Sequence, residues 1–385
     1  MIHKFDKDIF DLAVTGEDCF VAGFSTGHVG AYQWSMETKS VVELWSTKRH
    51  KQSCRSVSAN RSANTILTAG SDKVIKLAAS ETGRVSAKWS ASTASEAGTS
   101  GEAYSVIQWL NNDIFVTGDD AGQVGVWDSR TKKGVIRLHD DHIDYISSIT
   151  PFDDRYAVVT SGDGTLSVID ARNPKKTVVS EDQEDDLTCG SFVRTNHAHK
   201  KFVVGTAAGV VTLFTKGDWG DHTDRILSPL PRSQQWSVDQ MVQADSDSVF
   251  VGGGDGAVRL LHILPNRYER VIGQLEKDAG VDTLTKSDDG QYVLASSGSD
   301  LGIWKFEEES ESESAPSSDS DSGSDLETEL SQEKQNPSSN NEGSEQEEDS
   351  SDSDFDEPTK KKPKKRKTSK PPARDLVKTD FFNDM

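Results

Sequence analysis

Cysteine is scarce in this 385-residue chain: Cys19, Cys54 and Cys189 are the whole set, and no Cys-x-x-Cys pair occurs. An odd number without pairing makes neither a disulfide framework nor a zinc knuckle, and it suits a reducing compartment. Long apolar runs are missing as well. No stretch approaches the roughly 18 residues that a bilayer span needs, and the opening MIHKFDK lacks the apolar core of a signal peptide. The expectation is a soluble, non-secreted protein with no membrane partner. Apolar residues make up 33% of the chain, below the roughly 45–50% usual for folded domains, so part of it should have no core. His-Glu-x-x-His is absent too, and neither an enzymatic activity nor a cofactor or metal is expected.

Charge is abundant and unevenly placed. Residues 307–357 hold 20 acidic side chains, one basic (Lys334) and 15 serines, while residues 358–385 hold 10 basic and 3 acidic. These segments carry −19 and +7, which leaves −9 of the total −21 for residues 1–306. The first 306 residues are therefore the candidate folded domain, and the acidic and basic stretches form a tail too charged to offset chain entropy by burial.

Within residues 1–306 a pattern recurs. FVAGFSTGHVGAY from Phe20, FVTGDDAGQVGVW from Phe115, AVVTSGDGTLSVI from Ala157 and FVVGTAAGVVTLF from Phe202 each read as strand, Gly/Asp/Ser turn, strand. With the hairpins from Ile66, Phe250 and Tyr292 there are seven, whose second strands end at Tyr32, Ala78, Trp127, Ile169, Phe214, Leu261 and Trp304. The spacings are 46, 49, 42, 45, 47 and 43 residues. A short upstream strand checks the phase: its second marker (Leu12, Val57, Val106, Ile149, Gly190, Met241, Leu284) precedes the hairpin end by 20, 21, 21, 20, 24, 20 and 20 residues. The outlier contains RTNHAHK from Arg194, read as a polar loop insertion. Outer strands follow most hairpins, for example VVELW from Val41 and RVIGQL from Arg270.

Seven units of four short strands cannot each bury two faces alone, and circular stacking solves this, so the fold expected is all-β, a seven-bladed propeller over residues 1–306. The units resemble the WD-repeat family, although Trp127-Asp128 is the single full WD dipeptide. His50 and His142 stand where that family has its Gly-His. The resemblance implies a His, Ser/Thr, Asp and Trp network inside each blade. The fourth unit keeps His142, Ser161 and Asp163 but has Ile169 in the Trp slot, so apolar packing should hold most blades. Family members close the ring with an N-terminal strand, for which Ile2–Phe5 is the candidate here.

Other signals weigh less. His197 and His199 sit in the polar insertion without a third ligand, and Gly252, Gly253, Gly254 and Gly256 fall in a hairpin turn rather than a phosphate cradle. Asp319, Asp321 and Asp325 around Gly323 imitate a calcium loop in Ser-Asp low-complexity sequence. Arg130 in WDSR and Arg172 in IDAR occupy equivalent turns of consecutive units. Both look like the W-D-x-R box with which some WD-repeat proteins engage the propeller adaptor of cullin-4 ubiquitin ligases, and Arg in such turns equally serves local acidic groups.

In the tail, Ser318, Ser322, Ser351 and Ser353 each precede an acidic residue by three positions, the context of acidophilic kinases. The run Lys360, Lys361, Lys362, Lys364, Lys365, Arg366 and Lys367 suits a nuclear import receptor, with RNA contact as an addition. Phe381 and Phe382, in DLVKTDFFNDM, form a candidate docking peptide. A divergent propeller, an acidic serine segment, a Lys-rich run and a terminal Phe-Phe, in that order, resemble the WD repeat-containing protein 55 family. That resemblance implies a nucleolar, non-catalytic scaffold in ribosome biogenesis, active in ribosomal RNA processing and large-subunit production through proteins of pre-ribosomal particles. The alternative is a substrate receptor of a cullin-4 ligase docking through Arg130 and Arg172.

Overall fold

The computed structural model describes residues 1–90, 101–131, 136–195, 199–228, 235–277 and 279–306. Residues Met1–Ser312 form one compact unit. Its first strand, β1 (Ile2–Lys4), precedes blade 1: β2 (Ile9–Gly16), β3 (Cys19–Phe24), β4 (His28–Ser35) and β5 (Ser40–Lys48). Blade 2 is β6 (Cys54–Asn60), β7 (Thr65–Gly70), β8 (Val74–Ala79) and β9 (Val85–Ser90). Blade 3 is β10 (Tyr104–Trp109), β11 (Ile114–Asp119), β12 (Val124–Asp128) and β13 (Arg137–His139). Blade 4 follows with β14 (Ile146–Phe152), β15 (Tyr156–Ser161), β16 (Leu166–Asp170) and β17 (Val178–Val179). Blade 5 has β18 (Leu187–Thr195), β19 (His199–Thr206), β20 (Val210–Thr215) and β21 (Asp224–Leu227). Blade 6 has β22 (Val238–Gln243), β23 (Ser248–Gly253), β24 (Ala257–His262) and β25 (Arg267–Gln274). Blade 7 contributes β26 (Thr283–Lys286), β27 (Tyr292–Ser297) and β28 (Asp300–Lys305).

Every blade is a four-stranded antiparallel sheet in chain order, except that blade 7 runs β26-β27-β28-β1. Ile2 pairs with Gly302 and Lys4 with Asp300, so the expected N-terminal latch is present. The Met1 ammonium donates to the Ile303 carbonyl at 2.7 Å, and Phe5 N–H donates to Ser299 O at 2.8 Å. Phe5 then packs tilted against Phe24 and edge-on against Tyr32 of blade 1, with centroids 5.5 and 5.0 Å away. The inner strands touch in the cycle β2, β6, β10, β14, β18, β22, β26 and back to β2, which is a closed ring.

The core lies between blades. Buried residues group into seven clusters, each shared by two neighbours: Ile9, Phe20 and Trp34 with Leu294 and Ile303 across blades 1 and 7, for example, and Leu67 and Ile75 with Tyr104 and Phe115 across blades 2 and 3. Period-2 alternation gives each blade two apolar faces, and only a neighbour on each side removes both from water.

The six hairpin turns of blades 1 to 6 close alike. The fourth residue, Gly27, Lys73, Gly122, Gly164, Gly209 or Gly256, has φ between +60° and +84° and donates its N–H three residues back. Gly254 and Gly256 thus belong to a turn, as expected, whereas Gly252 and Gly253 stand in β23 before it, and among these six turns Lys73 is the one side chain forced into that left-handed geometry.

Two expectations need correction. RTNHAHK is not simply a loop: Val193, Arg194 and Thr195 pair with Lys201, Lys200 and His199, so the insertion lengthens β18 and β19. Ladder pairing uses backbone groups and tolerates polar side chains, which is why hydropathy missed it. The fourth unit's hydroxyl partner is Ser167 rather than Ser161. His142 Nε2 lies 2.8 Å from Ser167 Oγ, while Ser161 Oγ donates to Asp144 O.

Candidate partner-binding surfaces

Antiparallel order divides the connections between two rims. One rim carries the turns between second and third strands together with the crossings from an outer strand to the next blade; the other carries the remaining turns. The inner strands line a channel of about 520 Å3.

On the first rim the crossing from blade 3 to blade 4, Asp140-Asp141-His142-Ile143-Asp144, is built around its histidine. His142 is 4% exposed, and its Nδ1 lies 3.2 Å from Asp163 Oδ2 and 3.0 Å from Thr165 Oγ1. Burial pushes the imidazole pKa below its ordinary value, against the pull of Asp163, so the ring is neutral at pH 7. Ile143 N–H donates to the same Asp163 oxygen at 3.0 Å. With the backbone fixed on both sides, the Ile143 side chain stands 90% exposed. Asp140, Asp141 and Asp144 beside it are exposed, as are Glu181, Asp182 and Asp186 in the next crossing on the same rim, from blade 4 to blade 5. Partial burial raises the Asp186 pKa, and Asp185 and Asp144 add to the shift, which marks real crowding of like charge. An apolar tip inside an acidic arc fits a cationic partner with an apolar contact residue.

Blade 2 repeats the device. His50 Nδ1 donates to Asp72 Oδ1 at 2.9 Å, which leaves the neutral Nε2 to accept from Thr68 Oγ1 at 3.0 Å. Blade 3 keeps the other half, with Trp127 Nε1 donating to Thr117 Oγ1 at 2.9 Å. Polar networks therefore survive in pieces alongside apolar packing.

On the second rim the two arginines differ. Arg130 chelates Asp128 through Nε at 2.9 Å and a terminal nitrogen at 2.8 Å, and reaches Asp113 at 3.1 Å. Arg172 is exposed, and its backbone N–H donates to Asp170 Oδ1 at 2.9 Å. Both stand in equivalent turns, one held by its own carboxylates.

The channel wall is stitched between blades by polar side chains that the repeat pattern did not single out. Asp11 accepts from Leu12 N–H at 2.8 Å, Ser56 Oγ at 2.9 Å and Val57 N–H at 2.7 Å, joining blade 1 to blade 2. Ser56 Oγ in turn accepts from Ile107 N–H of blade 3 at 3.1 Å. Burial raises the Asp11 pKa to about 6, against the lowering effect of those hydrogen bonds. Six inner strands also share a bulge at their second residue, among them Phe10, Arg55 and Ser105. A bulge re-aims that side chain at the channel mouth, where one terminal nitrogen of Arg55 donates to both carboxylate oxygens of Asp120 of blade 3 at 2.7 Å.

Gly23-Phe24-Ser25-Thr26-Gly27 spells a Gly-x-Ser-x-Gly motif. It lies in the β3–β4 hairpin rather than between strand and helix, and no histidine is hydrogen-bonded to Ser25 among the described residues. No group of three or more potential metal ligands occurs among those residues. The import run Lys360–Lys367, the serines Ser318, Ser322, Ser351 and Ser353, the pair Phe381 and Phe382, and His197 lie outside the described residues.

Comparison with known proteins agrees with this architecture. A family model described as WDR55 matches residues 2–307. An uncharacterized WD repeat-containing protein of Schizosaccharomyces pombe, C1A6.02, is 54% identical over 308 residues, covering 80% of this chain and 84% of its own. WD repeat-containing protein 55 of Arabidopsis thaliana is 32% identical over 290 residues, covering 74% and 77%. Among solved structures, U3-55K superposes with a TM-score of 0.65 at 14% identity, covering 79% of this chain and 98% of that one, and the RRP9 WD40 repeats do so at 13% identity, covering 79% and 97%. These structural likenesses speak to the fold. With a closed seven-bladed ring, a family match from the latch strand to the last blade and a relative 54% identical over 308 residues, the chain belongs to the WDR55 family.

Proposed function

We propose that this protein is a non-catalytic assembly factor of ribosome production, acting in the nucleolus on ribosomal RNA processing and large-subunit formation through protein contacts of its propeller. Membership of the WDR55 family supports the process, as the resemblance implied. The observation that carries the mode of action is the fixed acidic arc around Ile143, because proteins that pack against ribosomal RNA are strongly basic. A rigid ring presents that arc without ordering cost, which favours association. Entry to the nucleus is assigned to Lys360–Lys367, and the serine segment and Phe381-Phe382 to modification and docking.

The test is depletion followed by analysis of precursor ribosomal RNA. Accumulated precursors and a falling ratio of large to small subunits are expected; unchanged precursors and subunit ratios overturn the reading. A second reading, docking to a cullin-4 adaptor, rests on the exposed, equivalent placement of Arg130 and Arg172. Joint replacement of both by Ala should abolish copurification with the adaptor, and undiminished copurification removes it.

A further inference from the structure

The cleft between the outer strands of blades 1 and 2 has the opposite charge to the arc. On the third strand of each blade, two residues before the hairpin end, stand Gly30, Lys76, Gly125, Ser167, Thr212, Arg259 and Gly302. Two of these seven positions are cationic, and they are treated differently. Arg259 is neutralised by Asp255 of its own turn, with one contact at 2.9 Å, and Val271 lies opposite it on β25. The equivalent carboxylate in blade 2, Asp72, is committed to His50 and to Lys51 N–H, and Lys76 has no ion pair among the described residues. Directly opposite Lys76 on β9 is a second cation, Lys88. Like charges in facing positions destabilise a sheet.

Behind them lies Arg49. Its side chain packs on Trp45, with the guanidinium carbon 5.4 Å from the ring, and one terminal nitrogen donates to Gly83 O at 2.6 Å. The residue is 4% exposed, and its Nε and other terminal nitrogen have no acceptor among the described residues. The Lys76 ammonium rests on the Arg49 carbonyl, so the cations share one cleft. Burial lowers the Lys76 pKa; Asp72 opposes this, and Lys88 and Arg49 add to it. A buried guanidinium with two unsatisfied nitrogens, beside a lysine pair whose neighbouring carboxylate Asp72 is committed elsewhere, is costly unless an anion completes it.

We propose that this cleft, formed by Arg49, Lys76 and Lys88, binds the phosphoryl group of a phosphorylated side chain in a partner protein. Three convergent cations suit a dianion better than a single carboxylate. A domain of net charge −9 repels a polyphosphate backbone, which favours a peptide over RNA. Exposed Val85, on the same strand β9 as Lys88, offers apolar contact to neighbouring peptide residues.

Fluorescence anisotropy with the full chain tests this. The probes are a fluorescein-labelled Gly-Ala-Val-phosphoserine-Val-Ala-Gly peptide, its unphosphorylated form and labelled decauridylate. The phosphopeptide should bind at least tenfold more tightly than the unphosphorylated form, with at least a fivefold loss in Lys88→Ala and in Arg49→Met. Lys88→Ala removes a repulsion at an exposed site and should melt no lower than the wild type, so its loss of binding does not report misfolding. Equal binding of the two peptides, undiminished binding by Lys88→Ala, or decauridylate binding more tightly with the same Lys88 dependence each overturns the proposal.

Discussion

Arg61, in the turn after β6, reaches past blade 1 to pair with Asp288, in the turn after β26. On the way its Nε donates to Val14 O at 3.2 Å, so one side chain ties blades 2, 1 and 7 at the second rim. The Arg61 side chain is 47% exposed, and screening limits the worth of the pair to about 0.5–1 kcal/mol. Arg61→Ala should therefore lower stability by about that much in urea unfolding, and Asp288→Ala should add little on top. Fully additive losses would show that the two do not act together.

Deleting Met1–Phe5 should cost more. It removes the β1 ladder, frees the edge of β28 and strips Phe5 from Phe24 and Tyr32. Phe5 is half-buried, and loss of its packing alone is worth about 1.5 kcal/mol, so with the ladder gone the unfolding midpoint should fall below that of Arg61→Ala. A truncated chain as stable as the whole would mean that the latch contributes little.

Acid stability should show two opposing groups. His50 and His142 have lowered pKa values, because burial outweighs their Asp partners. Their unfolded forms take up protons first, so stability falls as pH drops below about 6.5. Asp11, raised to about 6, holds its proton in the folded state while the unfolded carboxylate is still ionised, so it adds stability as pH falls from about 6 towards 4. Asp11→Asn should thus steepen the acid loss in that window. A profile identical to the wild type would remove the assignment.

Lys73→Gly should stabilise the protein. Lys73 adopts φ +60° where five blades have glycine, and its 3.7 Å pairing with Glu102 is exposed. Relief of the left-handed strain should give a net gain of about 0.5–1 kcal/mol in thermal unfolding. A loss would mean that the lysine side chain matters more than its backbone.

Ile143→Asp should leave stability within about 0.5 kcal/mol, since the side chain touches mostly water. Copurification of basic pre-ribosomal proteins should fall sharply. Retention of every partner would exclude the acidic arc as their docking surface.

The hairpin phase was legible because it depends on alternation and turn chemistry within about 13 residues, and Phe20 opposite Tyr32 or Phe115 opposite Trp127 falls where the spacing put it. The Ile2–Lys4 latch followed from a count of strands. What stayed hidden involves residues far apart in the chain: Asp11 on Ser56 and Val57, Arg61 on Asp288, Arg55 on Asp120. No local pattern announces these. The mistaken Ser161 came from reading position without direction. Strand alternation points Ser167 at His142 and turns Ser161 toward the Asp144 carbonyl.

Since β1 finds its partner only in β28, the first strand of the domain to be synthesised must wait for nearly the last of it before it can settle. Until Asp300–Lys305 is synthesised, the nascent chain carries an unmatched sheet margin at each end. A message cut short before that point therefore yields an open stack of blades with sticky margins and no means of shutting, a natural target for chaperones and proteolysis.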